Sequence, residues 1–131
     1  PDPPLPLAGG AGGGHDRAMT HPATAYKILT ADQMAALRED RFDGAPVDLA
    51  DGYIHLSTAD QVTETVDRHF AGQSDLWIAA VDLAPLGDAI RWEASRGGAL
   101  FPHLYGRLTM ASITVHAPLS RDGDGTVQLP G

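Results

Sequence analysis

Gly98-Ala-Leu-Phe-Pro-His-Leu-Tyr-Gly106 sets Phe101, His103 and Tyr105 at alternate positions between two glycines. Alternate residues of an extended chain share a face, so these three rings point one way and Leu100, Pro102 and Leu104 the other. Pro102 has no backbone donor, which reads as a sheet edge or an ordered loop. Just upstream, Ile90-Arg-Trp-Glu93 reads as a short strand or extended piece, and Gly97-Gly98 as a flexible break. Trp, Phe, Tyr, His, Glu and three Arg crowd between Arg91 and Arg107, in a chain only 6% aromatic and 20% charged. The rest of the chain reads as a scaffold that presents this segment opposite a second one, Tyr53-Ile-His-Leu-Ser-Thr58.

The scaffold is legible in order. Ala25-Tyr-Lys-Ile-Leu29 is a first strand. Thr30-Ala-Asp-Gln33 is a capping box that opens a helix to about Arg38, with Met34 and Leu37 buried. Phe42 to Pro46 is a loop and Asp51-Gly52 a turn. In the strand Tyr53–Leu56, Ile54 and Leu56 share one face, Tyr53 and His55 the other. Ser57 or Thr58 caps the next helix, with Gln61 closing a box on Thr58. Val62, Val66 and Phe70 form that helix's buried stripe, and Gly72 stops it. Asp75 to Val81 is nearly all apolar, as for a central strand buried on both faces. Leu108 to Val115 is a further strand, and Asp122-Gly-Asp-Gly125 a hairpin-type turn. Two short N-terminal helices and a majority of short strands make an α+β fold, with a small mixed or antiparallel sheet and no regular βαβ alternation.

A chain of 131 residues has room for one domain. Residues 1–18 hold four Pro and five Gly without apolar periodicity, so they read as a disordered tail or tag, with Met19 as a natural start and 19–131 as the domain. No cysteine is present, which excludes a disulfide framework and thiolate catalysis. No apolar run approaches the ~18 residues of a membrane span, and no signal-peptide pattern is seen, so the expected compartment is cytoplasmic. The net charge of −8 and a single lysine, Lys27, argue against nucleic acid as a partner. Arg91, Arg96, Arg107 and Arg121 still leave the C-terminal part able to hold a pocket for a small anion.

Three groups of residues carry candidate chemistry. His55 lies on a strand just before a helix start, where Ser57 and Thr58 bring hydroxyls and free amides attract anions; equally, the hydroxyls are only caps and His55 a half-buried strand residue. Trp92, Glu93 and Arg96 can supply a stacking face, a base or hydroxyl acceptor, and an anion clamp; equally, they are a core Trp beside a surface ion pair. Phe101, His103 and Tyr105 suit a flat ligand, or else make an aromatic core face with a satisfied histidine. His55, His103 and Glu93 are metal-ligand types without a close-spaced signature, so no metal is assigned. No nucleophile elbow or Gly-rich phosphate loop is found in the folded part.

Gly52-Tyr-Ile-His-Leu-Ser-Thr58, Arg91-Trp-Glu93, Ser95-Arg-Gly-Gly98 and Leu100-Phe-Pro-His-Leu-Tyr-Gly106 together resemble the family catalogued as domain of unknown function 952, over about residues 24–118. More distantly, Ile54-His-Leu-Ser57 entering a helix is similar to the His-Val-His-Leu-Ser segment of tRNA 2′-phosphotransferases. That resemblance implies an ADP-ribosyltransferase-like fold, a small split sheet that clamps NAD in a cleft. It implies NAD as a substrate, with His55, Ser57 and Thr58 lining the cleft, Arg96 at the pyrophosphate and a nicotinamide stacked on Phe101, Tyr105 or Trp92. His55, Glu93 and His103 are then the catalytic candidates, Glu93 standing for the late glutamate of toxin-like transferases. Where phosphotransferases carry an Arg-His pair in the first strand, this chain has Tyr26-Lys27. Two functions follow as expectations: ADP-ribosyl transfer from NAD or NAD glycohydrolysis, or a non-catalytic module for a nucleotide-like or small anionic ligand.

Overall fold

A computed structural model describes residues 21–94 and 98–130. The tail expected over 1–18, Met19 and Arg96 lie outside the described residues.

The apolar run becomes β3 (Leu76–Asp82), the middle of a three-stranded antiparallel sheet between β1 (Thr24–Thr30) and β6 (Ile113–Pro118). A middle strand with both faces covered has no use for a polar side, hence the run. On one face, Ala79 and Val81 join Ala25 and Leu29 of β1, Met34 and Leu37 of α1 (Ala31–Arg38), and Ile54, Leu104 and Leu108. On the other, Leu76 and Ile78 join Ile28, Val62 and Val66 of α3 (Val62–His69), and Val127. Phe70, past the end of α3, is only partly buried against this second cluster. The α1 box forms as expected: Gln33 N donates to Thr30 Oγ1 at 3.1 Å and Thr30 N to Gln33 Oε1 at 2.9 Å.

A second antiparallel sheet has the order β2 (Ile54–His55), β5 (Leu100–Leu104), β4 (Ile90–Ala94). The Pro102 strand, expected at a sheet edge or as an ordered loop, is therefore the central one. The proline is tolerated because its missing donor faces β2, where the ladder ends at it, while the ladder with β4 runs past it. Leu56 N donates to the Pro102 carbonyl at 3.1 Å, and the return bond to Leu56 has no donor. The chain beyond Leu56 pairs with β1 instead: Tyr26 N donates to Ser57 O at 2.7 Å, and Ser57 N to Tyr26 O at 2.9 Å. This bridge joins the two sheets, and every strand pairing among the described residues is antiparallel. The fold is α+β, with antiparallel sheets and few helices.

Four local expectations are corrected. Pro46 does not end a loop; it opens a third helix, α2 (Pro46–Asp51), at whose first position its missing N–H costs nothing. Gly52 follows that helix with φ of +88°, so the expected Asp51-Gly52 turn is a left-handed helix cap. The strand expected from Leu108 begins only at Ile113, after a 3-10 turn at Met110–Ser112. The cap expected from Ser57 or Thr58 does not form: α3 starts at Val62 with Gln61 as N-cap and no side-chain cap bond, and of the Gln61 box only the bond from Thr58 N to Gln61 Oε1 at 3.0 Å is made. No helix among the described residues is long and apolar enough to cross a membrane.

Candidate functional site

The β2–β5 register sets His55 opposite His103, and Ile54 opposite Leu104. The flanking Leu56–Pro102 pair carries a backbone bond, so His55–His103 is a non-bonded pair, in which side chains approach most closely. Their ring centroids are 5.4 Å apart, edge to face. On the other side of β5, Arg91 pairs with His103 and Glu93 with Phe101. Directly opposed residues share a face, so His55, Arg91, Glu93, Phe101 and His103 lie on one side of this sheet.

Glu93 organises that side. His103 Nδ1 and Tyr105 Oη each lie 2.8 Å from Glu93 Oε1. These two bonds, the His103 one foremost, hold the Glu93 carboxyl below the usual carboxylate range. An ionised carboxylate only accepts, so His103 donates through Nδ1. Its Nε2 has no partner among the described residues and is not sealed from solvent, although the residue is buried. The same carboxylate pushes the Tyr105 phenol up, since ionising it would lose the bond and add a like charge. Tyr53 lies across the group, 4.1 Å from the His103 ring, 4.7 Å from His55 and 5.1 Å from Tyr105. Burial, then the charges of Asp51 and Glu93, raise the Tyr53 phenol as well. The Arg91 guanidinium covers the Tyr105 ring at 4.5 Å.

His55 is fixed from behind by α2. Its Nδ1 lies 2.7 Å from Asp48 Oδ1, and its backbone N donates to the same oxygen at 3.0 Å. Asp48 Oδ2 accepts from Ala45 N at 2.8 Å and from Lys27 Nζ at 2.9 Å. Lys27 Nζ also reaches the His55 carbonyl at 3.1 Å. Burial works against the Asp48 charge, but the His55 and Lys27 bonds outweigh it and hold the carboxyl well below its usual range. Burial lowers the Lys27 ammonium, and Asp48 opposes that. His55 Nε2 meets Asp51 Oδ2 at 2.9 Å. Both ring contacts are made together only when the imidazole carries two N–H groups.

The expected site residues divide. His55, Glu93, Phe101, His103 and Tyr105 come together. Trp92, on the alternate position of β4, turns to the opposite side, where it packs at the rim of the core and against His21. Ser57 is buried and bound to Thr65 Oγ1 at 2.8 Å. Thr65 Oγ1 donates to Gln61 O at 3.1 Å, so Ser57 is the donor between the two hydroxyls and is taken up by α3. Thr58 lines the groove on the Trp92 side. Arg96 lies outside the described residues. Asp48 and Asp51 join the site without having been singled out as site residues by the sequence, and Lys27, noted there only as the single lysine and as part of the Tyr26-Lys27 pair, joins it through Asp48. The one available signal was a charged residue in the apolar run Ala25-Tyr-Lys-Ile-Leu29, together with a Pro-to-Gly spacing around Asp48. Among the described residues, no group of three or more His, Cys, Asp or Glu is placed to hold a metal ion.

The crystal structure of protein CC0527 from Caulobacter crescentus is similar to this chain: 48% identical, covering 81% of this chain and 94% of the other, with a TM-score of 0.73. The solution NMR structure of CC0527 aligns at 47% identity over 82% of this chain and 94% of the other, with a TM-score of 0.69. No curated protein matches the chain. The model of the family described as Protein of unknown function (DUF952) matches residues 28–116, inside the span of the resemblance carried by the four quoted stretches. With that match over more than half its length, the chain belongs to this family.

Proposed function

We propose that the chain is an enzyme of the ADP-ribosyltransferase-like kind, which transfers ADP-ribose from NAD or hydrolyses NAD on the face that carries His55, Glu93, His103 and Tyr105. The observation that supports this most is the Glu93 carboxylate, ionised and bound by both His103 Nδ1 and Tyr105 Oη at 2.8 Å. A fixed negative charge beside aromatic rings suits a reaction in which positive charge develops on a sugar. In the step, the bond from the ribose anomeric carbon to nicotinamide breaks and its electron pair leaves with nicotinamide. Glu93 stabilises the oxocarbenium-like charge. Water or an acceptor hydroxyl adds to the same carbon, and its proton passes to His103 Nε2, which Glu93 orients through Nδ1. Tyr53, Phe101 and Tyr105 supply ring faces, and Arg91 a cation for phosphate. The two-sheet arrangement joined at Tyr26 and Ser57 is consistent with a split-sheet fold of that kind.

One observation favours a second reading, a non-catalytic binder of a nucleotide-like ligand. In the first strand, Lys27 is held by Asp48 and His55 and is not free to meet a substrate. Incubation with NAD separates the two. Nicotinamide release that disappears in Glu93→Gln while NAD binding survives supports the enzyme. Binding without release supports the module. Neither release nor an NAD-induced thermal shift overturns the enzyme reading.

A further inference from the structure

On the opposite side of the β4–β5 sheet, an open groove of about 540 Å³ runs between the segment leading into β1, the turn before α3, and Trp92. We propose that this groove is a binding site for a planar, amino-bearing nitrogen heterocycle of the nucleobase class, with Trp92 as its stacking platform. The proposal does not rest on the reaction above, because the Glu93 face looks away from it.

Three observations carry it. First, the indole face is already taken by a heteroaromatic ring of the chain itself. The His21 imidazole lies on Trp92 with centroids 4.1 Å apart and planes within 8°. That is the geometry of a stacked base, and His21 occupies the platform as a stand-in. Second, the rim is polar and uncommitted. The side chains of Thr24, Tyr26, Thr58 and Asp60 line the groove and make no hydrogen bond among the described residues. Hydroxyls donate or accept and a carboxylate accepts, so together they match a ring edge that bears both N–H donors and ring-nitrogen acceptors. Third, the width is fixed before any ligand arrives. Gln61 accepts from Thr58 N at 3.0 Å and donates through Nε2 to Leu100 O at 2.7 Å, which ties together the turn before α3 and β5, the two elements that bring Thr58 and Leu100 to the lining. Asp60 and the chain's net charge of −8 disfavour a phosphate, so the ligand is the neutral base or nucleoside.

Adenosine titrated into the full chain by calorimetry tests this. Saturable binding is expected. His21→Ala, which removes the stand-in, is expected to tighten it about tenfold, the scale of one stacking contact. Trp92→Leu is expected to abolish binding. Because Trp92 also packs at the core rim, Thr58→Val provides a variant that keeps the fold and weakens binding several-fold. Absence of saturable heat from both the full chain and His21→Ala overturns the proposal. So does unchanged affinity in Trp92→Leu, or in Thr58→Val should Trp92→Leu not fold.

Discussion

Lys27 Nζ sits 2.9 Å from Asp48 Oδ2, with only 6% and 2% of the two side chains exposed. Asp48 is otherwise saturated by Ala45 N and by two donors of His55, so it ties β1, α2 and β2 at one point. Asparagine cannot replace it. Whichever way the amide is turned, its NH2 faces either Lys27 and Ala45 or the two His55 donors. Removing one partner of a buried pair typically costs about 3–5 kcal/mol. Asp48→Asn and Lys27→Met are each expected to fall near that range in denaturant melts. The double variant is expected to lose less than the sum, because neither charge is then left alone. By contrast Asp51→Asn, at a half-exposed contact to His55, is expected to lose less than about 1 kcal/mol.

The same carboxylate sets an acid limit. Asp48 binds its proton less readily folded than unfolded, so the unfolded chain takes up protons first as pH falls. Its contribution is therefore fully present above the unfolded carboxylate value, about 3.9, and drains away as pH drops below it towards the depressed folded value. Melting temperatures recorded from neutral pH downward are expected to fall steeply below about pH 4. Asp48→Asn is expected to show a lower plateau and a shallower fall. An equal slope in both proteins would assign the acid limit to other carboxylates.

Alternation alone makes the faces of the 100–104 strand legible, because a period of two needs no partner to be read. It also places Trp92 and Glu93 on opposite sides, so the stacking face and base expected to act together from those neighbours are incompatible with the strand itself. α2 is harder to see. Its N-cap is Ala45, whose side chain carries no signal, and six residues are too few for helical periodicity. Pro46 reads as a loop until Gly52 is read as the matching helix stop. Asp48 is hidden for a different reason. It meets Lys27 across 21 positions and through a fold between two sheets, a pairing with no local trace. The central place of the Pro102 strand depends likewise on β2 ending at His55, just before Leu56 meets Pro102, which only the partner strand reveals.

Tyr105 and Tyr53 report on Glu93 without any substrate. The Tyr105 phenol is raised chiefly by its bond to that carboxylate, and Tyr53 by burial and then by Asp51 and Glu93. Glu93→Gln removes the charge while keeping an acceptor oxygen. Alkaline titration of tyrosinate absorbance is expected to show Tyr105 ionising at lower pH in Glu93→Gln, with Tyr53 moving the same way by less. Superimposable titrations of the two proteins would mean that Glu93 does not face these rings in solution.

Gly52 decides where β2 begins relative to α2. Its φ of +88° is costly for any residue with a Cβ, yet a Cβ built there would meet nothing within 4 Å. The cost of Gly52→Ala is therefore conformational and not steric, about 1 kcal/mol. Tyr53 and His55 follow directly, and Gly52 N donates to the Asp48 carbonyl at 2.8 Å, so any relaxation of the turn is passed to the two rings. Denaturant melts of Gly52→Ala are expected to show this modest loss, and Gly52→Asn a smaller one, since asparagine tolerates the left-handed region better. A loss of several kcal/mol in Gly52→Ala would point to a clash and contradict the open space beside the turn.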